Sequence, residues 1–275
     1  MAINNLMNKS FLTRAISGAC LVAILLATFI LGGDVCFSVI SVASIIGLTE
    51  IYNTVGIKKN VVGIVGYISA IAYLCIIRFF GTEHITTFVI GFLLVIMTTY
   101  VFSFPKYKTE KILMAFFGVI YVVIMMSFIY FVRMTPNGIY TVWLIFICAW
   151  GSDTCAYLVG VTCGKHKMAP ILSPKKSIEG AIGGVVGAAL LSGLYGFIIS
   201  EQLAGVSNAV LIFAIVGAVS ALISMVGDLA ASAIKRDYEI KDYGKLIPGH
   251  GGILDRFDSI IFTAPIIYYL LVYIK

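Results

Sequence analysis

Apolar residues in this chain do not alternate with polar ones but come in long unbroken runs, at roughly 16–32, 35–52, 61–80, 85–104, 112–132, 139–160, 178–199, 208–233 and 257–274. Each run approaches or exceeds the ~20 residues that carry a helix across the hydrocarbon of a bilayer. The pattern predicts an all-α polytopic membrane protein with about nine transmembrane helices and termini on opposite sides. Lys9 and Arg14 before the run Ile16 to Leu31 give the N-terminus the look of a signal peptide. The many later spans favour its retention as a first transmembrane helix. No repeat of fixed period and no low-complexity tract interrupts the series.

Composition agrees: the 275 residues are 60% hydrophobic and 12% charged, against about 45–50% and about 25% in soluble domains. A water-soluble globule is excluded. Nine spans take up about 180 residues, so no separate soluble domain fits beside them. The six cysteines are scattered without metal-ligand spacing and read as small apolar fillers.

Lys+Arg number 19 against 13 Asp+Glu, a net charge of +6. The connections alternate between basic and charge-poor, and sixteen of the 19 cations fall on one side. Cytoplasmic loops carry the excess of Lys and Arg in membrane proteins. The expectation is therefore a multi-pass protein of the cell membrane, with the N-terminus and the two longest loops cytoplasmic and the C-terminus outside. Topology accounts for the basic balance, and no basic patch interleaved with aromatics remains for a nucleic acid.

Polar chemistry is unevenly spread. Residues 1–135, about five helices, read as a scaffold. Residues 136–275, about four helices with two cytoplasmic loops, read as the catalytic region. Asp153 and Asp228 lie inside apolar runs, each about 10 Å from the cytoplasmic end of its span. An acid there costs a few kcal/mol unless a partner, water or a cation meets it. Ser232 and Lys235 follow Asp228 at i+4 and i+7, so carboxylate, hydroxyl and ammonium share one helical stripe. That stripe either lines a polar cavity or forms an Asp228/Lys235 ion pair that only stabilises packing. Asp153 is read either as part of such a cavity or as an interhelical hydrogen-bonding group.

The segment from Ser232 to Asp258, SAIKRDYEIKDYGKLIPGHGGILDRFD, is the densest in chemistry. Gly249, Gly251 and Gly252 around His250 let backbone amides approach a ligand or form an anion-binding nest. Asp255 and Asp258, three apart at the start of the ninth span, can face one side of a helix. Hard oxygens from Asp228, Asp255 and Asp258 suit Mg²⁺, which takes one or two protein carboxylates and completes its shell with water and phosphate. Lys235, Arg236, Lys241 and Arg256 supply cations for phosphates.

This run resembles the signature of the phosphatidate cytidylyltransferase (CDP-diacylglycerol synthase) family. The pattern runs from Ser232 and Ile234 through Lys235, Arg236, Lys241, Asp242, Gly244, Ile247 and Pro248. It continues through His250, Gly251, Gly252, Ile253, Asp255, Arg256, Phe257 and Asp258, without departure. Upstream, Trp150 with Asp153 and Tyr157, the run Ser173-Pro174-Lys175-Lys176-Ser177 with Glu179 and Gly180, and Gly227-Asp228 also resemble family segments. The likeness covers most of the last 130 residues; before that it is only hydropathy.

The resemblance implies the reaction CTP + phosphatidate → CDP-diacylglycerol + pyrophosphate, with Mg²⁺, a second cation left open, and a homodimer. A phosphate monoester, with its second pKa near about 6, is already an anionic nucleophile at neutral pH and needs no general base. This matches a site with aspartates and cations but no Ser-His-Asp or Cys-His pairing. Asp228, Asp255, Lys235 and Arg256 are the expected catalytic residues, and Asp228, Asp255 and Asp258 the metal ligands. Ser173, Lys175, Lys176, Ser232, Arg236, Lys241, His250, Gly251 and Gly252 are expected to bind substrate. Ser173, Lys175 and Lys176 sit where they would clamp a lipid headgroup at the membrane surface. Two rivals are a cytidylyltransferase for an isoprenoid ether-lipid phosphate and a polytopic transporter, which would show broken helices in paired halves.

Overall fold

The structure is a computed structural model. It describes the backbone of residues 2–203 and 208–273 and the side chains of residues 12–203 and 208–273. Among these lie nine helices long and apolar enough to cross a membrane. They are α1 (Ala2–Leu31), α2 (Gly33–Thr54), α3 (Val61–Phe80), α4 (Ile85–Ser103), α5 (Thr109–Met134), α6 (Gly138–Cys163), α7 (Ile178–Ile198), α8 (Ala209–Asp237) and α9 (Leu254–Tyr273). All nine expected spans are present. Lys9 and Lys275, two of the cations in the topology count, lie outside the residues whose side chains are described.

Two features were not legible in the hydropathy. The connection after α6 folds into an antiparallel hairpin, β1 (Lys167–Ala169) and β2 (Ser173–Ser177), pairing Lys167 with Ser177 and Ala169 with Ser173. Pro174 inside β2 has no N–H for a ladder, which suits an edge of so small a sheet. Helices α5 and α6 each contain a π-helical turn, at Val119–Ile124 and Ile147–Gly151. Such a turn inserts a residue and shifts every later side chain by roughly a quarter of the helix circumference. In α6 it ends just before Ser152 and Asp153, so it sets the direction in which that acid projects.

The chain divides into two compact units. Unit one comprises residues 1–28, 34–127 and 242–255. Here Tyr52 of α2 donates its hydroxyl to the Ala115 carbonyl at 2.7 Å, and the glycines at 66 and 118 leave room for its ring. Tyr73 and Ser127 share a 2.7 Å hydrogen bond, joining α3 to α5.

Unit two comprises residues 29–33, 128–241 and 256–275. Its centre is the stack of α6, α7 and α8. Gly183 lies where a Cβ would sit 2.5 Å from Val159, and Gly187 faces Cys155, so α7 packs on α6 through its glycine face. On the side toward α8, Gly217 meets Ser192 and Gly196 meets Phe213. Without a hydrophobic drive between helices in lipid, such close backbone approach is what supplies packing energy. Gly227 of α8 likewise fits against the Asp258 carbonyl and Phe262 of α9.

Candidate active site

The acids of unit two converge. Asp228, midway through the polar end of α8, is ion-paired with Lys176 of β2, and the two side chains keep only about a quarter of their exposure. Asp258, one turn into α9, lies 4.0 Å from the Lys235 ammonium, and its Oδ1 accepts the Ser259 N–H at 2.8 Å. Asp153 lies within electrostatic reach of Asp228, Lys176 and Arg256, and Asp258 within reach of Asp228, Lys235 and Asp153. Three carboxylates therefore share one neighbourhood with three cations. The Arg256 Nε is buried without a hydrogen-bond partner among the described residues.

Lys176 arrives there because the hairpin is anchored at both ends. Ser177 caps α7, its hydroxyl accepting the Gly180 N–H at 3.1 Å, and glycines at 160 and 164 make room for that hydroxyl. Glu179, in the first turn of α7, accepts the backbone N–H of Lys165 at 3.0 Å and of His166 at 3.2 Å. It also meets the His166 ring at 2.6 Å. A carboxylate at a helix N-terminus is favoured by the helix dipole, and here it draws the start of the hairpin back over that terminus.

A cavity of about 530 Å³ opens between α6, α7 and the hairpin. Its polar end holds Asp153, Asp228, Lys175, Lys176, Ser173 and Ser177, and its apolar wall includes Tyr157, Val161, Met168 and Met225. Tyr157 and Val161 are about 70% exposed on the flank of α6. The cavity is thus amphipathic and continues onto a surface of the span that suits hydrocarbon.

Unit one holds the glycine-rich loop. Asp255 is 6% exposed, and its Oδ2 accepts the N–H of Tyr243 at 2.8 Å and of Gly252 at 3.0 Å. Gly249 and Gly251 adopt φ of +76° and +84°, a left-handed backbone that favours glycine, and a Cβ on Gly251 would meet Asp255 Oδ2 at 2.8 Å. The Ile247 N–H donates to the Gly251 carbonyl at 2.8 Å and closes the turn around His250. The His250 Nδ1 is buried without a hydrogen-bond partner among the described residues.

Of the expected site residues, unit two brings together Asp228, Asp258, Lys235, Arg256, Ser173, Lys175 and Lys176. His250, Gly251, Gly252 and Asp255 are organised as a loop within unit one. Ser232 is half-buried one turn beyond Asp228, and Arg236 and Lys241 are exposed. Lys235 is approached by Asp258 of α9, an acid that counting along its own helix does not reach. Two residues were undervalued by sequence reasoning. Asp153 joins the acid cluster. Glu50, assigned to the scaffold, accepts the N–H of Ile253 at 3.0 Å and of Leu254 at 2.8 Å. The available signal was its charge near the end of an otherwise apolar run.

No three His, Cys, Asp or Glu side chains among the described residues converge tightly enough to enclose a metal ion. Mg²⁺ needs only one or two protein carboxylates when water and phosphate oxygens fill its shell, and the donors gathered here are hard oxygens. The residues therefore fit such an ion held jointly by protein and substrate.

The sequence pattern of the cytidylyltransferase family matches residues 12–274. The chain belongs to that family. A Staphylococcus aureus (strain COL) protein named phosphatidate cytidylyltransferase is 30% identical over 269 residues, covering 94% of this chain and 98% of the relative. A Rickettsia bellii protein of the same name is 40% identical over 163 residues, 58% of this chain and 70% of that protein. A third, from Synechocystis, is 42% identical over 137 residues, and the match spans only 45% of its length. Cytidylyltransferase membership covers both units, so the glycine-rich loop and the acid cluster fall within one family pattern.

Proposed function

We propose that this chain is an integral membrane phosphatidate cytidylyltransferase, converting CTP and phosphatidate to CDP-diacylglycerol and pyrophosphate. The observation that carries the reading is the amphipathic cavity of unit two, with the Lys176–Asp228 pair and Lys175 at its polar end and apolar residues along its wall. A single-phosphate lipid has that same division. Its phosphate is met by Lys175, Lys176 and Ser173, and its chains run past Tyr157 and Val161 toward the bilayer.

An oxygen of the lipid phosphate attacks the α-phosphorus of CTP, and the bond from that phosphorus to the bridging oxygen breaks, releasing pyrophosphate. No proton need leave the nucleophile, because the monoester is anionic at neutral pH. The requirement is that two anions meet in line, which positioned cations accomplish. Lys235 and Arg256 hold the triphosphate or the departing pyrophosphate, with Arg236 and Lys241 drawing CTP in from the aqueous side. Ser232, His250 and the amides of Gly251 and Gly252 orient phosphate oxygens. Asp228, Asp255 and Asp258 are the carboxylates that would supply Mg²⁺ with its one or two protein ligands. When bound, the ion supplies charge neutralisation for the reacting phosphates.

The side bearing sixteen of the 19 cations is the cytoplasmic one, which directs the site toward the compartment that holds CTP. The membrane is the cell membrane. The homodimer rests on the family resemblance alone.

The test is purified protein in lipid nanodiscs with phosphatidate, CTP and Mg²⁺. Pyrophosphate release matched by CDP-diacylglycerol in mass spectrometry is expected. Turnover with an isoprenoid ether-lipid phosphate and none with phosphatidate would replace the substrate; solute uptake without CTP turnover would overturn the reading.

A further inference from the structure

Glu50 is a carboxylate in the second span, only 7% exposed. An acid in that setting is costly unless it is fully partnered. Its two oxygens divide the work: Oε1 accepts the Ile253 N–H at 3.0 Å and Oε2 the Leu254 N–H at 2.8 Å. Leu254 is the first residue of α9 and Ile253 the one before it. The first amides of a helix have no acceptor within it, and negative charge is favoured there by the helix dipole. Glu50 thus acts as a cap supplied from another helix.

The fit is close on a second side. A Cβ at Gly244 or at Gly252 would collide with the Glu50 carboxyl group. Gly252 in turn donates its N–H to Asp255, which also holds the Tyr243 N–H. Both ends of the glycine-rich loop, 243–244 and 252–254, are therefore gathered on two acids from different parts of the chain.

We propose that Glu50 is a positioning residue for cytidylyl transfer: it holds the glycine-rich loop and the first turn of α9 in the geometry the reaction uses, without touching substrate. The inference rests on the proposed function, because the loop is taken to orient phosphates. Only a carboxylate serves both amides. Glutamine offers one acceptor oxygen, and its NH₂ would face the second N–H.

The test compares wild type with Glu50→Gln, Glu50→Asp and Gly244→Ala in nanodiscs containing phosphatidate, using peptide-resolved hydrogen exchange and steady-state kinetics per folded molecule. Glu50→Gln should speed exchange in peptides covering 243–256 and leave the α3 and α4 peptides unchanged. The kcat should fall on the order of tenfold to a hundredfold, with the KM for CTP within about threefold. Gly244→Ala, which keeps the charge and displaces it, should reproduce both effects. Glu50→Asp, with two acceptor oxygens on a shorter arm, should recover part of kcat.

A merely structural role would lower yield or melting temperature and leave kcat unchanged. Unchanged exchange would remove the clamp, and faster exchange with unchanged kcat would remove its link to the reaction; either overturns the proposal. If Glu50→Gln fails to fold, Gly244→Ala decides by the same two readouts. Absence of CTP turnover in wild type would count against the function itself, while the exchange comparison still reports whether Glu50 holds the loop.

Discussion

The Lys176 ammonium rests on the Asp228 carboxylate, tying the hairpin between α6 and α7 to the eighth helix. The contact fixes one substrate-facing cation against an acid expected to hold metal, so each group limits where the other can go. Lys176→Met should lower kcat/KM on the order of a hundredfold, because a preorganised cation is lost where phosphate charge is concentrated. Lys176→Arg should recover only part, since a planar guanidinium does not replace a compact ammonium. The Lys176→Met and Asp228→Asn double variant should be far from additive, and strict additivity of the two losses would mean that the pair does not act as a unit.

At Asp255 a single atom can separate the proposed metal role from the observed hold on the loop amides. Asparagine keeps one acceptor oxygen for the Tyr243 and Gly252 amides but is a much poorer metal ligand. Asp255→Asn should therefore abolish pyrophosphate release, by a factor above about a hundred, while hydrogen exchange in the loop changes little. EDTA should abolish wild-type turnover and Mg²⁺ restore it. Asp258→Asn should raise the Mg²⁺ concentration for half-maximal rate by at least about tenfold. Full activity of Asp255→Asn would withdraw that residue from the metal and leave it as a loop anchor.

Hydropathy read the nine spans because a bilayer imposes one length and one polarity on every helix that crosses it. The signature loop was legible because its chemistry is contiguous in sequence. Pairings between elements were not. Counting turns put Lys235 on one stripe with Asp228, but the 4.0 Å approach of Asp258 from the next helix depends on packing that a single helix does not announce. Lys176 has Glu179 three residues away in sequence, yet its ion-pair partner is Asp228, far along the chain on α8. Glu50 stood some 200 residues from the amides it binds, and Asp153 was left with two readings because its direction depends on a π-helical turn that composition does not announce.

The cavity makes a prediction that distinguishes the two substrates. Ala181 lines it from α7. Ala181→Phe should fill the space beside the apolar wall and raise the KM for phosphatidate by about tenfold with little change in the KM for CTP, the loss expected when roughly one or two methylene-sized contacts are displaced. Titration of phosphatidate as a mole fraction in mixed micelles checks this. A rise in the KM for CTP alone would assign the cavity to the nucleotide.

Glycine serves different ends on different helices, and stability measurements can separate them. On α4, Gly91 has nothing within 4 Å of an added Cβ, so Gly91→Ala adds helix propensity without a clash. On α7, Gly183 would place that carbon 2.5 Å from Val159, and α6 would have to shift away. Overpacking of this kind costs about 1–3 kcal/mol, more than the roughly 1 kcal/mol that alanine gains in propensity. Gly91→Ala should leave the melting temperature in detergent unchanged or raised, and Gly183→Ala should lower it. The same shift would widen the approach of Gly160 to Gly180 at the cavity wall, so Gly183→Ala should also raise the KM for phosphatidate. Equal stability of the two variants would mean that α6 and α7 do not depend on close backbone contact, and the cavity would then need another explanation for its shape.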